Sequence, residues 1–253
     1  MVPTYNEREN IVLLIPALFE ACPQADVVVV DDDSPDGTAT AVLGLQSRFP
    51  RLHLLVRHRQ RGRGTAGLAG FRHALSLGAA RVVEMDADFS HHPRHLEAIL
   101  QAAATADVVL GSRFVSGGED RRGPVRRIIT WVANRYIRWV LGLEIHDCTS
   151  GYRCFRREVL EGIQIDQTVS LGPSIVQELL YKACLKGFRV SEVPIVFEDR
   201  VRGETTFNAR IMLQGFLMVL VIRYLFSNLR AQEMHRAEAG GPPETTVHPG
   251  VLA

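Results

Sequence analysis

The densest chemistry in the chain lies in Val82 to Pro93, "VVEMDADFSHHP", where an apolar run ends in Asp86 and Asp88, followed by Ser90, His91 and His92. Carboxylates this close repel one another when both ionise, and a hard divalent cation removes the conflict. Mg2+ or Mn2+ is typically held by one or two carboxylates together with substrate phosphates. A helix N-terminal cap is the competing explanation, because Ser90 lies just before Pro93 and proline suits a first helical turn. Polar clusters end other apolar runs: Pro3-Thr4-Tyr5-Asn6-Glu7, Asp31-Asp32-Asp33-Ser34, and Gly111-Ser112-Arg113. Ligands of parallel α/β sheets bind outside the carboxyl ends of the strands, so these clusters converge on one rim. Asp31 and Asp32 at a neighbouring strand end strengthen the cation reading of the Asp-x-Asp pair.

Other motifs compete. His91, His92 and His95 invite zinc, but they lack cysteine partners, and a capping or solvent role at a helix start is cheaper for His92 and His95. Gly62-x-Gly64-x-x-Gly67 matches a dinucleotide fingerprint with Glu84 near the acidic position. The basic stretch "RHRQR" separates it from the preceding strand, so the glycines read instead as letting a basic loop make a close approach before a helix. Arg121, Arg122, Arg126, Arg127, Arg135 and Arg138 are interleaved with Trp131, Tyr136 and Trp139. A solvated helix face explains such a run, and so does a membrane interface or an anionic acceptor, because amphipathic rings favour that boundary.

The elements that must position these residues follow from periodicity. Valine-rich runs at 25–30, 52–56, 80–85 and 106–111 read as strands buried on both faces. Helical patterns fall between them at 7–21, 37–48, 65–77 and 93–104. This βα alternation predicts a parallel sheet. In the next helix Val125, Ile128, Ile129, Val132, Tyr136 and Val140 share a face, with Arg127, Asn134 and Arg138 opposite. A helix near 173–186 precedes a strand-like 188–198, and the apolar run 211–226, interrupted by Gln214 and Arg223, is too short for a span. From about Glu233 the pattern is aperiodic and reads as disordered. Met1-Val2-Pro3 leaves only a stub of a first strand, as though a few residues were missing before it. Length and composition (253 residues, 46% hydrophobic, net charge +1) suit a globular chain and disfavour a nucleic-acid binder. Cys22, Cys148, Cys154 and Cys184 are scattered without a Cys-x-x-Cys pair, as expected of thiols in a reducing compartment.

In order along the chain, "PTYNEREN", "VVVVDDDSPDGT", "GRGTAGLAGF", "MDADFSHHP", "GSRF", "CTSGYRCFRREVL" and "FEDRVRGET" resemble the polyprenyl-phosphate (dolichyl-phosphate) mannose synthases of glycosyltransferase family 2. The resemblance runs from residue 2 to about 207 and implies a GT-A fold over 1–228, with 229–253 as a tail. It implies transfer of mannose from GDP-mannose to a polyprenyl phosphate with inversion. A UDP-glucose or UDP-GlcNAc donor, a glycan acceptor, or a catalytically impaired relative are the alternatives. The nucleotide would lie near Pro3, Tyr5, Glu7, Asp31 and Asp32, with Asp86 beside the sugar donor. Asp86, Asp88 and Ser90 would lie at the metal, Mg2+ or Mn2+, and the diphosphate. Arg113 and Arg127 would hold the lipid phosphate, Asp147 would orient, and Arg200 and Arg202 would close over the donor. Thr206 stands where relatives carry lysine, and Thr130-Trp131 where many carry Ser-Arg. With no appended spans, the protein would sit at the cytoplasmic membrane face through amphipathic helices or an anchoring partner subunit.

Overall fold

The valine-rich runs form strands within two residues or so of their expected positions. The protein is described by a computed structural model over residues 1–59, 61–199 and 209–239, with the backbone alone at 209–211 and 228–239. Strands and helices alternate: β1 (Val2–Thr4), α1 (Arg8–Ala21), β2 (Val27–Asp31), α2 (Thr38–Gln46), β3 (Leu52–Val56), α3 (Arg63–Ser76) and β4 (Arg81–Glu84). A 3-10 turn at Pro93–His95 leads into α4 (Leu96–Ala102), then β5 (Val108–Ser112), β6 (Glu119–Asp120) and α5 (Pro124–Leu141). The second half adds β7 (Arg153–Arg156), α6 (Arg157–Gly162), α7 (Ile175–Leu185), β8 (Val190–Pro194), β9 (Val196–Phe197) and α8 (Ala209–Ala239).

Strands β1, β2 and β3 pair in parallel, and a second ladder runs in the order β4-β7-β5-β8. Met1 joins them, its nitrogen donating to the Val83 carbonyl and its carbonyl accepting from Met85 N–H. The three-residue β1 is therefore short but central. Along β2 the side chains alternate between two cores, Val28 and Val30 with Phe71 and Phe155, Val27 and Val29 with Ile11, Leu14 and Ile15. This period-2 split is what burial on both sheet faces requires. Strand β7 is antiparallel to both β4 and β5, an element that the residue pattern does not announce.

The expected strand over 188–198 breaks in two at buried Ile195, whose N–H donates to the Ser112 carbonyl. Its first part pairs with β5 and its second with β6. On helix α5 Asn134, Ile137 and Leu141 are buried and Tyr136 and Val140 pack partly against the core, while Val125, Ile128, Ile129, Trp131, Val132 and Trp139 are exposed. Inside, the Asn134 amide nitrogen donates to the Thr130 carbonyl and to Thr149 Oγ1 at 3.1 Å each, while its Oδ1 is buried without a hydrogen-bond partner. Helix α8 packs Val219, Ile222 and Phe226 into the core, with Arg223 donating to the Tyr181 hydroxyl at 3.0 Å. It continues to Ala239, so residues 233–239, expected to be disordered, are helical, and the rest of that expectation lies outside the described residues. Among the described residues no helix is long and apolar enough to cross a membrane.

Candidate active site

The rim is built by short loops that bond to one another. The loop after β1 is pinned from the loop after β2: Asn6 N–H donates to Ser34 Oγ at 3.0 Å, Glu7 N–H to Thr38 Oγ1 at 3.1 Å, and Arg8 N–H to Asp36 at 3.0 Å. Asn6, Asp33 and Phe89 each adopt a left-handed backbone, with φ of 58°, 57° and 61°. Such conformations cost on the order of 1–3 kcal/mol each and persist where the surroundings over-determine them, most often at functional sites.

The structure gives the expected site residues distinct placements. Tyr5 is exposed beneath the Arg61 guanidinium, 5.6 Å from its ring centroid. Pro3 and Glu7 are half-buried, and Glu7 accepts from Asn10 Nδ2 at 2.6 Å. Asp31 has no exposed surface; its carboxylate accepts from Thr4 Oγ1 at 2.9 Å, Ser34 Oγ at 2.6 Å and Ser34 N–H at 2.9 Å. It builds the loop and does not face solvent. Asp32 accepts from Gly62 N–H at 2.7 Å and pairs with Arg57 at 3.3 Å, tying β2 to the start of α3. Arg200 and Arg202, like Thr206, lie outside the described residues.

The "GRGTAG" stretch opens α3, with Gly62 at φ 139°. A Cβ on Gly64 would sit 2.5 Å from the Leu171 carbonyl oxygen. The close approach is thus to the backbone of the 169–172 loop, not to a cofactor. That loop is held from below by buried Glu178, which accepts from Val169 N–H at 3.0 Å and Ser170 N–H at 2.8 Å. The residue between the first two glycines, Arg63, donates to Asp86 at 2.6 Å and lies 3.4 Å from Glu84. Burial opposes its charge, but Asp86 and Glu84 hold it protonated above its usual range; burial also raises the Glu84 carboxyl. Arg63 was invisible to motif reading because nothing in its spacing indicates that it crosses from α3 to the end of β4.

Asp88 and Ser90 turn back on each other, with Asp88 Oδ1 accepting from Ser90 N–H at 3.1 Å and Ser90 Oγ at 2.6 Å. The three histidines do not converge. His92 Nδ1 accepts from Arg94 N–H at 3.1 Å, a cap, and His95 Nε2 from Val196 N–H at 3.2 Å. His91 is buried, and its Nδ1 accepts from Asp86 N–H at 3.0 Å, so the neutral ring carries its proton on Nε2, which has no hydrogen-bond partner. Burial keeps this imidazole below its usual pKa.

Arg113 and Asp147 form a bidentate pair, Nε and Nη2 each donating to one carboxylate oxygen at 2.7 Å. Asp147 is fully buried; burial alone would raise its pKa, but the Arg113 guanidinium brings it below the usual carboxylate range. Arg113 Nη2 also reaches Thr149 Oγ1 at 2.7 Å. Arg127 is exposed on α5, whereas Arg122, Arg126 and Thr130 line the central cavity. Thr130 Oγ1 accepts from Arg122 at 2.8 Å.

This cavity, about 1000 Å³, presents Asp86, Asp88, Ser90 and Arg113 and continues along Ile129, Ile137, Met212 and Phe216 between α5 and α8. Its oxygen set suits a hard cation: the Asp86 side chain is 34% exposed, and Asp86, Asp88 and Ser90 all open on one space. Among the described residues no cluster of three or more His, Cys, Asp or Glu could hold an ion alone.

Fold and rim define a GT-A nucleotide-diphospho-sugar transferase. Residues 1–164 match Glycosyl transferase family 2, and the chain belongs to that family. Among its relatives it is 46% identical over 206 residues to the polyprenol monophosphomannose synthase of Mycolicibacterium smegmatis, spanning 80% of this chain and 78% of that one. It is 40% identical over 225 residues to the undecaprenyl-phosphate mannosyltransferase of Micrococcus luteus, 88% and 92% of the two chains. Its fold is similar to that of a mannosyltransferase from Pyrobaculum calidifontis solved with GDP-Man and Mn2+, with TM-score 0.55 and 19% identity over 96% of this chain and 75% of that one.

Proposed function

We propose that the protein transfers mannose from GDP-mannose to a polyprenyl phosphate, with inversion, at the cytoplasmic face of a membrane. The observation that carries this reading is the continuity of the cavity. Carboxylates and guanidiniums lie at its polar part and an apolar channel between α5 and α8 continues from it, a match to a phosphate headgroup with a hydrocarbon tail. Relatives named for this chemistry support the same reading.

Asp88, with Asp86 and Ser90, would hold a Mg2+ or Mn2+ ion, which when bound offsets charge on the departing diphosphate. Arg63 keeps the Asp86 carboxylate fixed, and Asp32 fixes the start of α3 beside the exposed Tyr5, where the nucleotide base would rest. Arg113, locked by Asp147, binds the acceptor phosphate and turns it toward the sugar. A phosphate monoester has a second pKa of about 6, so the acceptor arrives ionised and needs no strong base. Its oxygen attacks the anomeric carbon, the bond to the GDP oxygen breaks on the opposite side, and a β-mannosyl phosphate results. Exposed Val125, Ile128, Trp131 and Trp139 on α5, with Leu217, Leu220 and Tyr224 on α8, would rest in the lipid interface. An anchoring subunit is the other means of reaching the lipid.

The test is transfer of radiolabelled mannose from GDP-mannose into lipid in vesicles containing polyprenyl phosphate. Lipid-linked mannose with equimolar GDP is expected, abolished by chelator, with Asp88→Asn lowering kcat/KM roughly 100-fold or more. Absence of lipid product with any nucleotide sugar, from folded protein, refutes the reading.

A further inference from the structure

Resting on the mannosyl-transfer reading, we propose that Arg122 is a second phosphate-binding residue for the acceptor and that Phe197 positions it beside Arg113. Both guanidiniums lie over the same ring, Arg113 at 5.0 Å and Arg122 at 4.8 Å from the Phe197 centroid. Each is gripped by its own carboxylate. Arg122 donates to Asp120 through Nε at 2.9 Å and Nη2 at 2.6 Å, repeating the bidentate grip of Asp147 on Arg113. The two carboxylates are not among the cavity-lining residues, while both guanidiniums are. Asp120 and Asp147 therefore fix direction without presenting negative charge to a ligand.

The donor count points the same way. In each arginine, Nε and Nη2 are used by the carboxylate and a threonine, Thr149 for Arg113 and Thr130 for Arg122. The Nη1 group of each has no hydrogen-bond partner among the described residues. A guanidinium is a planar fork suited to phosphate, and a pre-oriented fork loses little entropy on binding. Two of them against one ring, both opening on the same cavity, present donors to a single anion.

The scaffold is equally specific. Strands β6 and β9 form a parallel ladder of two residues each, placing Asp120 opposite Phe197. His91 packs against the same ring, centroids 5.3 Å apart, so Phe197 also abuts the loop carrying Asp86 and Asp88. Arg126 is not assigned this part, since it pairs with Asp199 at 2.7 Å on the cavity rim.

The experiment titrates wild type, Arg122→Gln, Arg122→Lys, Phe197→Leu and Phe197→Tyr with farnesyl phosphate and with uncharged farnesol by calorimetry, alongside steady-state transfer kinetics. Arg122→Gln is expected to weaken farnesyl phosphate binding and raise the acceptor KM by roughly tenfold, the scale of a hydrogen bond to a charged group. Farnesol affinity and the KM for GDP-mannose should not move. Arg122→Lys recovers part of the loss, as a point charge without the fork. Phe197→Leu reproduces the loss with Arg122 still present, and Phe197→Tyr restores binding because the ring face is kept. Should Arg122→Gln melt too low to assay, Arg122→Lys and Phe197→Leu carry the same comparison. Wild-type affinity for farnesyl phosphate in Arg122→Gln or Phe197→Leu overturns the proposal, as does a parallel loss of GDP-mannose affinity or no farnesyl phosphate binding by wild type. Arg122-dependent phosphate binding without any mannosyl transfer would overturn the transfer reading alone.

Discussion

Gly64→Ala isolates the contact between α3 and the 169–172 loop. The added Cβ would lie 2.5 Å from the Leu171 carbonyl oxygen and 2.7 Å from that of Gly172, where ordinary contact starts at 3.4 Å, so backbone must give by about 0.9 Å. The loop cannot yield freely, because buried Glu178 holds Val169 and Ser170. The start of α3 must shift instead, and Arg63 with it. Overpacking costs roughly 1–3 kcal/mol, of which alanine's helix preference recovers about 0.5–1 kcal/mol. At 2–4 °C per kcal/mol for a chain approaching this length, the expected Tm drop is a few degrees. Activity should suffer more: misplacing a reacting group by about 1 Å costs on the order of 100-fold, and Arg63 sets the Asp86 carboxylate. Calorimetry and kcat/KM measure the two effects separately. The control is Gly44→Ala in α2, where a Cβ would meet nothing within 4 Å; about 0.5–1 kcal/mol of stabilisation with unchanged activity is expected there. A Gly64→Ala protein as stable and as active as wild type would refute the argument.

Replacing Asp147 by Asn should cost on the order of 3–5 kcal/mol at neutral pH by leaving Arg113 buried and uncompensated. The folded pKa of Asp147 lies below the ordinary 3.8, so its contribution is complete above that value and fades as pH falls through the depressed one. The stability gap between wild type and Asp147→Asn, measured by urea unfolding, should therefore narrow only below about pH 4; a gap that closes between pH 8 and 5 would contradict the assignment. Trp139→Ser and Trp131→Ser should each weaken partition onto polyprenyl-phosphate-containing vesicles roughly tenfold or more, given the area an indole buries, with Tm unchanged. Sedimentation with the vesicles reads this, and unaltered binding by the double variant would exclude α5 as the docking face.

The positions of β2, β3, β4 and β5, and the gathering of their carboxyl ends, were legible because buried parallel strands leave unbroken valine runs that stop at polar loops. The Arg113–Asp147 pair was legible only as two separate suggestions, since the two stand 34 positions apart in the chain. What sequence could not reveal was direction. Helix α5 carries an apolar stripe, but amphipathicity does not say which neighbour a stripe meets. Asn134 lies inward, its amide nitrogen donating to Thr149 and the Thr130 carbonyl, while Trp131, Trp139, Ile128 and Ile129 stay outside. Arg63 was hidden for a related reason, because its partner is set by the crossing of α3 over β4. The Asp31 carboxylate accepts from Thr4 and Ser34, a bond set visible only in three dimensions.

Strand β7 lies between β4 and β5 although it is made forty residues after the latter ends. During synthesis the two older strands must wait with open edges until residues 153–156 leave the ribosome, and exposed edges recruit other chains. Fragments ending before Arg153 should accordingly aggregate, and chaperone demand should peak over that interval of translation. The register of a late-arriving strand, more than the chemistry at the rim, sets how this protein can be cut, fused or permuted.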